Sequence, residues 1–185
     1  MSDFALGVRV KSGWGAAVLL GGTRELPTLL ESRRLTLADP GTPASVQPYH
    51  DGAGTPRTNR RELDRLLDLV RRSSERNLAE LLATWRSAGR LPGKAVVVAS
   101  SDVDPETLTN PHIRIHALEG RLFRDVTRKA LIRLGIPCVL QLERELLARA
   151  PAAWQRTLKD LGRDAEGPWR AEQKSAALAA WELLR

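Results

Sequence analysis

Three consecutive segments with strand-like hydrophobic patterns open the chain, and they constrain its fold more than any other feature of the sequence. Residues 4–10 alternate apolar with small or charged side chains, residues 14–20 are almost continuously apolar, and residues 29–37 carry apolar positions separated by polar ones. Turn residues that include glycine and proline separate the segments, so the sequence predicts a three-stranded β-meander. We therefore expect a fold built around a sheet.

The rest of the chain alternates helices with strands. The patterns predict a helix at 59–88, a strand at 94–99, a helix at 111–134, a strand at 138–142 and two helices that begin at Pro151 and Pro168. Strands joined through single helices are usually parallel with right-handed crossovers, which places the fourth strand beside the first and the fifth outside it. The predicted fold is α/β, a mixed five-stranded sheet in the order 3-2-1-4-5 with helices on both faces.

The length of the chain favours a single domain. At 185 residues the chain can bury one core but is short for two, so we expect one domain over residues 1–185. A long loop rich in proline and glycine is predicted at about 38–57. His50, beside Tyr49 in this loop, is interpreted as a solvated histidine, although loops of this kind are often functional.

The predicted element order resembles the ribonuclease H-like fold, which is shared by Holliday-junction resolvases, transposase cores and, as a duplicated unit, actin-like ATPases. The first hairpin carries the resemblance in residues 7–13 (GVRVKSG) and 14–18 (WGAAV). Enzymes of this fold place an aspartate on the first strand, an acid at the end of the fourth strand and an acid on the last helix, because two Mg²⁺ ions need carboxylate ligands.

The resemblance implies which residues of this chain occupy those places. They are Arg9 on the first strand, Asp102 just past the fourth strand and Glu172 early on the last helix. Arg9 is a cation and cannot bind a metal, so a divalent metal at the usual position is disfavoured. The resemblance therefore implies a divergent member of the fold without its standard two-metal site.

A second group of candidate residues lies on the second predicted helix. At about 100° per residue, His112, His116 and Glu119 fall on one helix face. Two imidazoles and a carboxylate with this spacing can hold a transition metal such as Zn²⁺. Alternatively, His116 and Glu119 can act with Asp102 as the catalytic groups of a hydrolase or nuclease.

A structural interpretation of the same face stays open beside these two. Glu119 is predicted to point toward the sheet, and a buried carboxylate needs a partner, for which Arg9 is one candidate. Gly120 is predicted to allow close packing of the helix on the sheet. Ion-pair networks of this kind resemble active sites in their residue types, so the pattern alone does not choose between structure and function.

The charge of the chain favours an anionic partner. The formal net charge is +7, and 24 of the 29 basic residues are arginine, which binds phosphate through paired hydrogen bonds. Arg61, Arg65 and Arg72 on the first helix are the predicted nucleic-acid-binding residues. A codon-driven excess of arginine is the alternative explanation.

The remaining features set the expected location and class. Residues 1–4 lack the pattern of a secretory signal, and no apolar stretch approaches the roughly 20 residues that span a bilayer, so we expect a cytoplasmic protein without membrane contact. Cys138 is the only cysteine and is predicted to be a buried, inert thiol. The leading hypothesis is a nucleic-acid-associated or protein-interaction module; the alternatives are the hydrolase above and a structural subunit of a larger bacterial assembly.

Overall fold

A computed structural model describes residues 4–52 and 54–184. The first three residues, where the sequence indicates no secretory signal, lie outside the described residues. The described elements are, in chain order, β1 Ala5–Lys11, β2 Trp14–Gly22, β3 Pro27–Thr36, α1 Arg60–Ser87, β4 Lys94–Ala99, α2 Pro111–Arg133, β5 Cys138–Leu142, α3 Glu143–Ala148, α4 Trp154–Leu161 and α5 Ala171–Trp181, with short 3₁₀ turns at Pro43–Val46 and Pro105–Thr107. None of the described helices is long and apolar enough to cross a membrane.

The five strands form one mixed sheet in the order β3-β2-β1-β4-β5, which confirms the predicted topology. β1 pairs antiparallel with β2 and parallel with β4, and β4 pairs parallel with β5. Gly13 closes the first hairpin with a φ of 77°, a left-handed conformation that glycine adopts without steric penalty. The single-helix connections α1 and α2 then return the chain for parallel pairing.

Alternate residues of β1 belong to the two cores on either side of the sheet. Leu6 and Val8 pack in the core that α1 and α2 cover, whereas Ala5 packs in the core formed with α4 and α5. Gly7 lies on the α5 side, where a Cβ would be 1.8 Å from the carbonyl oxygen of Ala176. The backbone of α5 therefore lies directly on β1, which only glycine permits here.

Helix α1 is one unbroken element, although the Ser73-Ser74 pair in its middle could have ended it. Both serines are buried, and the Ser74 hydroxyl donates a hydrogen bond of 3.0 Å to the carbonyl of Leu37. The 28 residues give a helix of about 42 Å. The short helix α3 was absent from the predicted order, because Leu146 is the only buried residue in its six and so few residues show no helical periodicity.

One edge of the sheet collects the segments that carry polar side chains. β1, β3, β4 and β5 run in the same direction, so their carboxyl ends share this edge. The loop between β3 and α1 leaves from it, and α2 and α3 begin beside it. Ligands of open α/β sheets usually bind at the carboxyl ends of the strands, so this edge is where a site is expected.

Candidate functional site

Arg9, itself buried, forms an ion pair with the partly exposed Glu143 at the carboxyl-terminal edge, on the α5 side of the sheet. Its Nε donates to Oε1 of Glu143 at 2.8 Å and its Nη2 donates to Oε2 of the same carboxylate at 2.6 Å. The Arg9 side chain is 3% exposed. The predicted pairing of Arg9 with Glu119 is wrong, because Glu119 lies on α2 and packs against the other face of the sheet.

The surroundings of this Arg9–Glu143 pair leave no place for a divalent metal. The Ser175 hydroxyl also donates to Glu143 at 2.7 Å, and Glu172 lies 3.5 Å from the ammonium of Lys11. The hydrogen bond from Arg9 holds the pKa of the Glu143 carboxyl below its ordinary value, despite partial burial that opposes this. Each carboxylate is already balanced by a cation, so these residues do not fit the two Mg²⁺ ions of enzymes with this fold.

A second polar cluster lies at the same edge on the α1 and α2 side. All three histidines of the chain take part in it. One ring nitrogen from each of His50, His112 and His116 lies within 4.8 Å of the others, and Nε2 of His116 is 3.2 Å from Nε2 of His112. His50, His112 and His116 are called the histidine cluster below.

Helix α2 supplies two members of the histidine cluster from its first turns. The Asn110 side chain caps the helix by accepting hydrogen bonds from the amides of His112 and Ile113 at 3.0 and 3.2 Å. Capping fixes the start of the helix, and the four-residue spacing puts both imidazoles on one face. Both histidines are solvent-exposed, so the expectation that His116 points toward the sheet together with Glu119 is wrong for His116.

His50 reaches the cluster from the long loop, and a buried arginine holds the loop in place. The Arg57 guanidinium donates to the carbonyls of Pro48 at 2.9 Å and of His50 at 2.6 Å. The Arg57 amide donates to the carbonyl of Tyr49 at 2.8 Å. His50 is only 8% exposed, so the interpretation of a solvated histidine is wrong.

Glu119 contacts His50, the buried member of the histidine cluster. It is fully buried at 0% exposure, which confirms the inward direction predicted for it. Its Oε1 lies 2.7 Å from Nδ1 of His50, while Oε2 has no hydrogen-bond partner among the described residues. Burial raises the pKa of the Glu119 carboxyl, although the hydrogen bond with His50 works in the opposite direction. An oriented imidazole with a free second nitrogen results.

The surroundings of His116 favour its neutral imidazole. Desolvation, followed by the electrostatic effect of His112 and His50, lowers the pKa of His116. The two Nε2 atoms that lie 3.2 Å apart can share a single proton only if one ring donates and the other accepts. Neutral imidazole is the form that binds a metal, so the lowered pKa of His116 is compatible with a metal ligand.

The structure brings together only part of the predicted sets. His112 and His116 meet as expected, but Glu119 contacts His50 and is not positioned as a third ligand beside them. Asp102 is exposed in the loop after β4 and is not a member of the histidine cluster.

Two residues of these clusters, His50 and Glu143, were not among the predicted site residues. His50 could have been found from its place in a proline-bounded loop that leaves the carboxyl end of a strand. Glu143 could have been found because it directly follows the last strand, β5, at the same end of the sheet. Neither signal identifies the partner, because the pair Arg9 and Glu143 is separated by 134 residues.

The predicted nucleic-acid-binding arginines lie on the outer face of α1. Arg61, Arg65 and Arg72 are all exposed. Arg72 is paired with Asp68 at 2.6 Å, and Asp68 also binds Arg71 at 3.0 Å. Arg61, Arg65 and Arg72 are called the outer stripe below. The outer stripe is basic, and its charge is partly neutralised by Asp68.

A groove between α1 and α2 borders this stripe. Its volume is about 570 Å³, and its lining includes Tyr49, the acids Glu75 and Asp125, and four cations, which are Arg71, Arg121, Lys129 and Arg133. We call it the basic groove. Tyr49 precedes His50, so one end of the basic groove lies next to the histidine cluster.

Comparison with solved structures identifies the fold. A structure of Thermus thermophilus RuvC in complex with a Holliday junction substrate matches with a TM-score of 0.58 at 12% identity, covering 96% of this chain and 90% of that one. A second structure of T. thermophilus RuvC matches with a TM-score of 0.54 at 12% identity, covering 96% and 91%. The fold is ribonuclease H-like. The resemblance drawn from the element order is confirmed.

Sequence comparison adds nothing to this assignment. No family model matches the chain, and no curated protein matches it. The likeness to the two RuvC structures is one of fold, at 12% identity. Arg9 stands at the first-strand position for which the resemblance implies an acid.

Proposed function

We propose that this chain is a ribonuclease H-like module that binds nucleic acid and does not cleave it at the metal position usual for the fold. The observation that carries the proposal is the Arg9–Glu143 pair, in which both carboxylate oxygens are bound by one guanidinium at 2.6–2.8 Å. A nuclease site there would need a carboxylate in place of Arg9, because Mg²⁺ takes oxygen ligands.

Binding to nucleic acid is supported by the distribution of arginine. The outer stripe of Arg61, Arg65 and Arg72 borders the basic groove, which adds four more cations and only two acids. Guanidinium groups bind phosphate oxygens in pairs and release counterions from the nucleic acid. The RuvC structure that resembles this chain was solved with a Holliday junction substrate, which makes branched DNA the first ligand to test.

The test is a salt series of binding measurements on fluorescently labelled four-way junction and duplex DNA. Affinity should fall steeply between about 50 and 200 mM salt, because phosphate contacts dominate the interaction. The triple variant Arg61→Glu, Arg65→Glu, Arg72→Glu should weaken binding by about tenfold or more and flatten the salt dependence.

A matched control reverses the same number of exposed arginines on the other side of the molecule. Arg144, Arg156 and Arg163 lie on or next to α3 and α4, and all are exposed. Their replacement by glutamate changes the net charge equally but should leave affinity within about threefold if the contacts are local. Equal losses for both triple variants would show that only net charge matters, and no loss for either would overturn the proposal.

Incubation of the bound DNA with Mg²⁺ or Mn²⁺ tests the second half of the proposal. We expect intact strands on a denaturing gel. Cleavage that disappears in the Glu119→Gln variant would instead support the hydrolase alternative, in which His116 and Glu119 carry the reaction.

A further inference from the structure

The histidine cluster is unusual because the whole histidine content of the chain meets at one point. The sequence contains three histidines, separated by up to 66 positions, and all of them lie in this cluster. Two come from one helix face and the third from a loop that Arg57 holds in place. The two helical histidines are exposed, whereas the third imidazole, that of His50, is buried and lies against them.

Distances within the cluster fit a small tetrahedral ion. Zinc binds histidine nitrogen at about 2.0–2.1 Å, so two ligands of a tetrahedral ion lie about 3.3 Å apart. The Nε2 atoms of His112 and His116 are 3.2 Å apart. One ring nitrogen of His50 lies within 4.8 Å of a ring nitrogen of each of them, and rotation of the exposed ring of His116 can shorten its distance to an ion.

Ring orientation is fixed from outside at two of the three histidines. Glu119 binds Nδ1 of His50, which leaves Nε2 of that ring as the ligand. A Cβ on Gly54 would lie 2.9 Å from Nδ1 of His112, so the loop backbone packs against that side of the ring while Nε2 faces His116. A carboxylate that receives the second N–H of a ligand histidine is the usual arrangement around bound metals.

We propose that His50, His112 and His116 together bind one Zn²⁺ ion through imidazole nitrogen, with Glu119 as a positioning residue for His50. Three nitrogen ligands without a thiolate leave a fourth position, on the exposed side, for water or an anionic oxygen. The site differs in ligand chemistry from the carboxylate site usual for this fold, so it selects a transition metal over Mg²⁺.

A bound ion would also strengthen two weak points of the histidine cluster, the compensation of Glu119 and the attachment of the loop to α2. A divalent cation polarises the His50 imidazole and so strengthens its hydrogen bond to the buried Glu119 carboxylate. It also ties the loop that carries His50 to the first turns of α2. Metal binding should therefore stabilise the folded chain, because the unfolded chain does not present the three imidazoles together.

The test is titration of the full chain, stripped with a chelator, with Zn²⁺ and separately with Co²⁺. Calorimetry should give one site, and Co²⁺ should develop the intense visible absorption typical of tetrahedral coordination. A large excess of Mg²⁺ should not compete. The melting temperature should rise with added Zn²⁺.

Variants of the two exposed histidines separate metal binding from folding. His112→Ala and His116→Ala should each weaken Zn²⁺ binding by about 100-fold or more, since one of three protein ligands is lost. Ile113→Ala is the matched control, because Ile113 is 52% exposed in the same helical turn and should leave the affinity unchanged. Far-ultraviolet circular dichroism of the metal-free variants should be that of the wild type.

Glu119→Gln tests the positioning role. It should retain one site but weaken binding by about 10–100-fold and shift the Co²⁺ spectrum, which a purely structural residue would not do. The absence of Zn²⁺ binding by the wild type, or wild-type affinity in both histidine variants, would overturn the proposal. Unchanged affinity and spectrum in Glu119→Gln would remove Glu119 from it. DNA binding is measured separately, so neither result decides the other.

Discussion

Two carboxylates at the carboxyl ends of the strands, Glu143 partly buried and Glu119 fully buried, have opposite electrostatic surroundings. On the α5 side, Glu143 receives hydrogen bonds from Arg9 and Ser175 that involve both of its oxygens. On the α2 side, Glu119 is more deeply buried, has one histidine partner and keeps Oε2 without a hydrogen bond among the described residues. The first site is electrostatically complete within the chain, and the second is not.

The two carboxylates differ in the source of the positive charge that compensates their burial. Desolvating a carboxylate is unfavourable unless an opposite charge or several donors compensate. The guanidinium of Arg9 compensates Glu143, and it occupies the place that enzymes of this fold give to metal ligands. Glu119 has the His50 imidazole and, as a weaker influence, the backbone of Tyr49, and an imidazole is a cation only when it is protonated. The pKa of Glu119 is accordingly raised and that of Glu143 lowered.

The largest change in the free energy of unfolding is expected from the removal of the Glu143 carboxylate. Glu143→Ala leaves the guanidinium of Arg9, 3% exposed, without its carboxylate, and should lower the free energy of unfolding by about 3–5 kcal/mol. Urea denaturation of the purified variant measures this. The double variant Arg9→Met, Glu143→Leu should recover most of the loss, because no buried charge remains. A double variant as unstable as the single one would show that the pair acts through packing and not through charge.

The sheet could be predicted from the sequence because its signals are local. Alternation in β1, the apolar run of β2 and the valines of β4 each identify a strand, and single-helix connections then fix the order. Helix α3 was not predicted, because a helix shorter than two turns shows no helical periodicity. Gly7 and Gly120 show the limit of local reasoning: Gly120 was expected to pack closely, yet a Cβ there would meet nothing within 4 Å, whereas Gly7 has no such space.

The candidate site could be predicted only where it lies within one element. His112, His116 and Glu119 share a helix, so their common face follows from the helical repeat. His50 joins them through the path of an irregular loop, which no periodicity describes. The choice of Glu143 and not Glu119 as the partner of Arg9 depends on which face of the sheet each side chain meets. That choice needs the register of β1 and the position of Glu143 at the end of β5.

Acid should distinguish wild type from the neutral variant Glu143→Gln. The folded pKa of Glu143 lies below its unfolded value of about 4.3, so its stabilising charge is present above that value and is lost as pH falls through the folded pKa. The melting temperature of wild type should therefore fall more than that of the variant between about pH 6 and pH 3. Parallel curves over this range would mean that the Arg9–Glu143 pair adds no charge-dependent stability.

The smallest effect should come from Gly120→Ala, which separates stability from metal binding on the α2 side. Gly120 is an exposed interior residue of α2 with open space around its α-carbon, and alanine favours a helix over glycine by about 0.8–1.0 kcal/mol. Urea denaturation should show a gain of that order. Zn²⁺ affinity should stay unchanged, because the new methyl group lies beside Glu119 in sequence but contacts none of the three histidines. A loss of stability would mean that α2 packs more closely against its surroundings than the open space at Gly120 indicates.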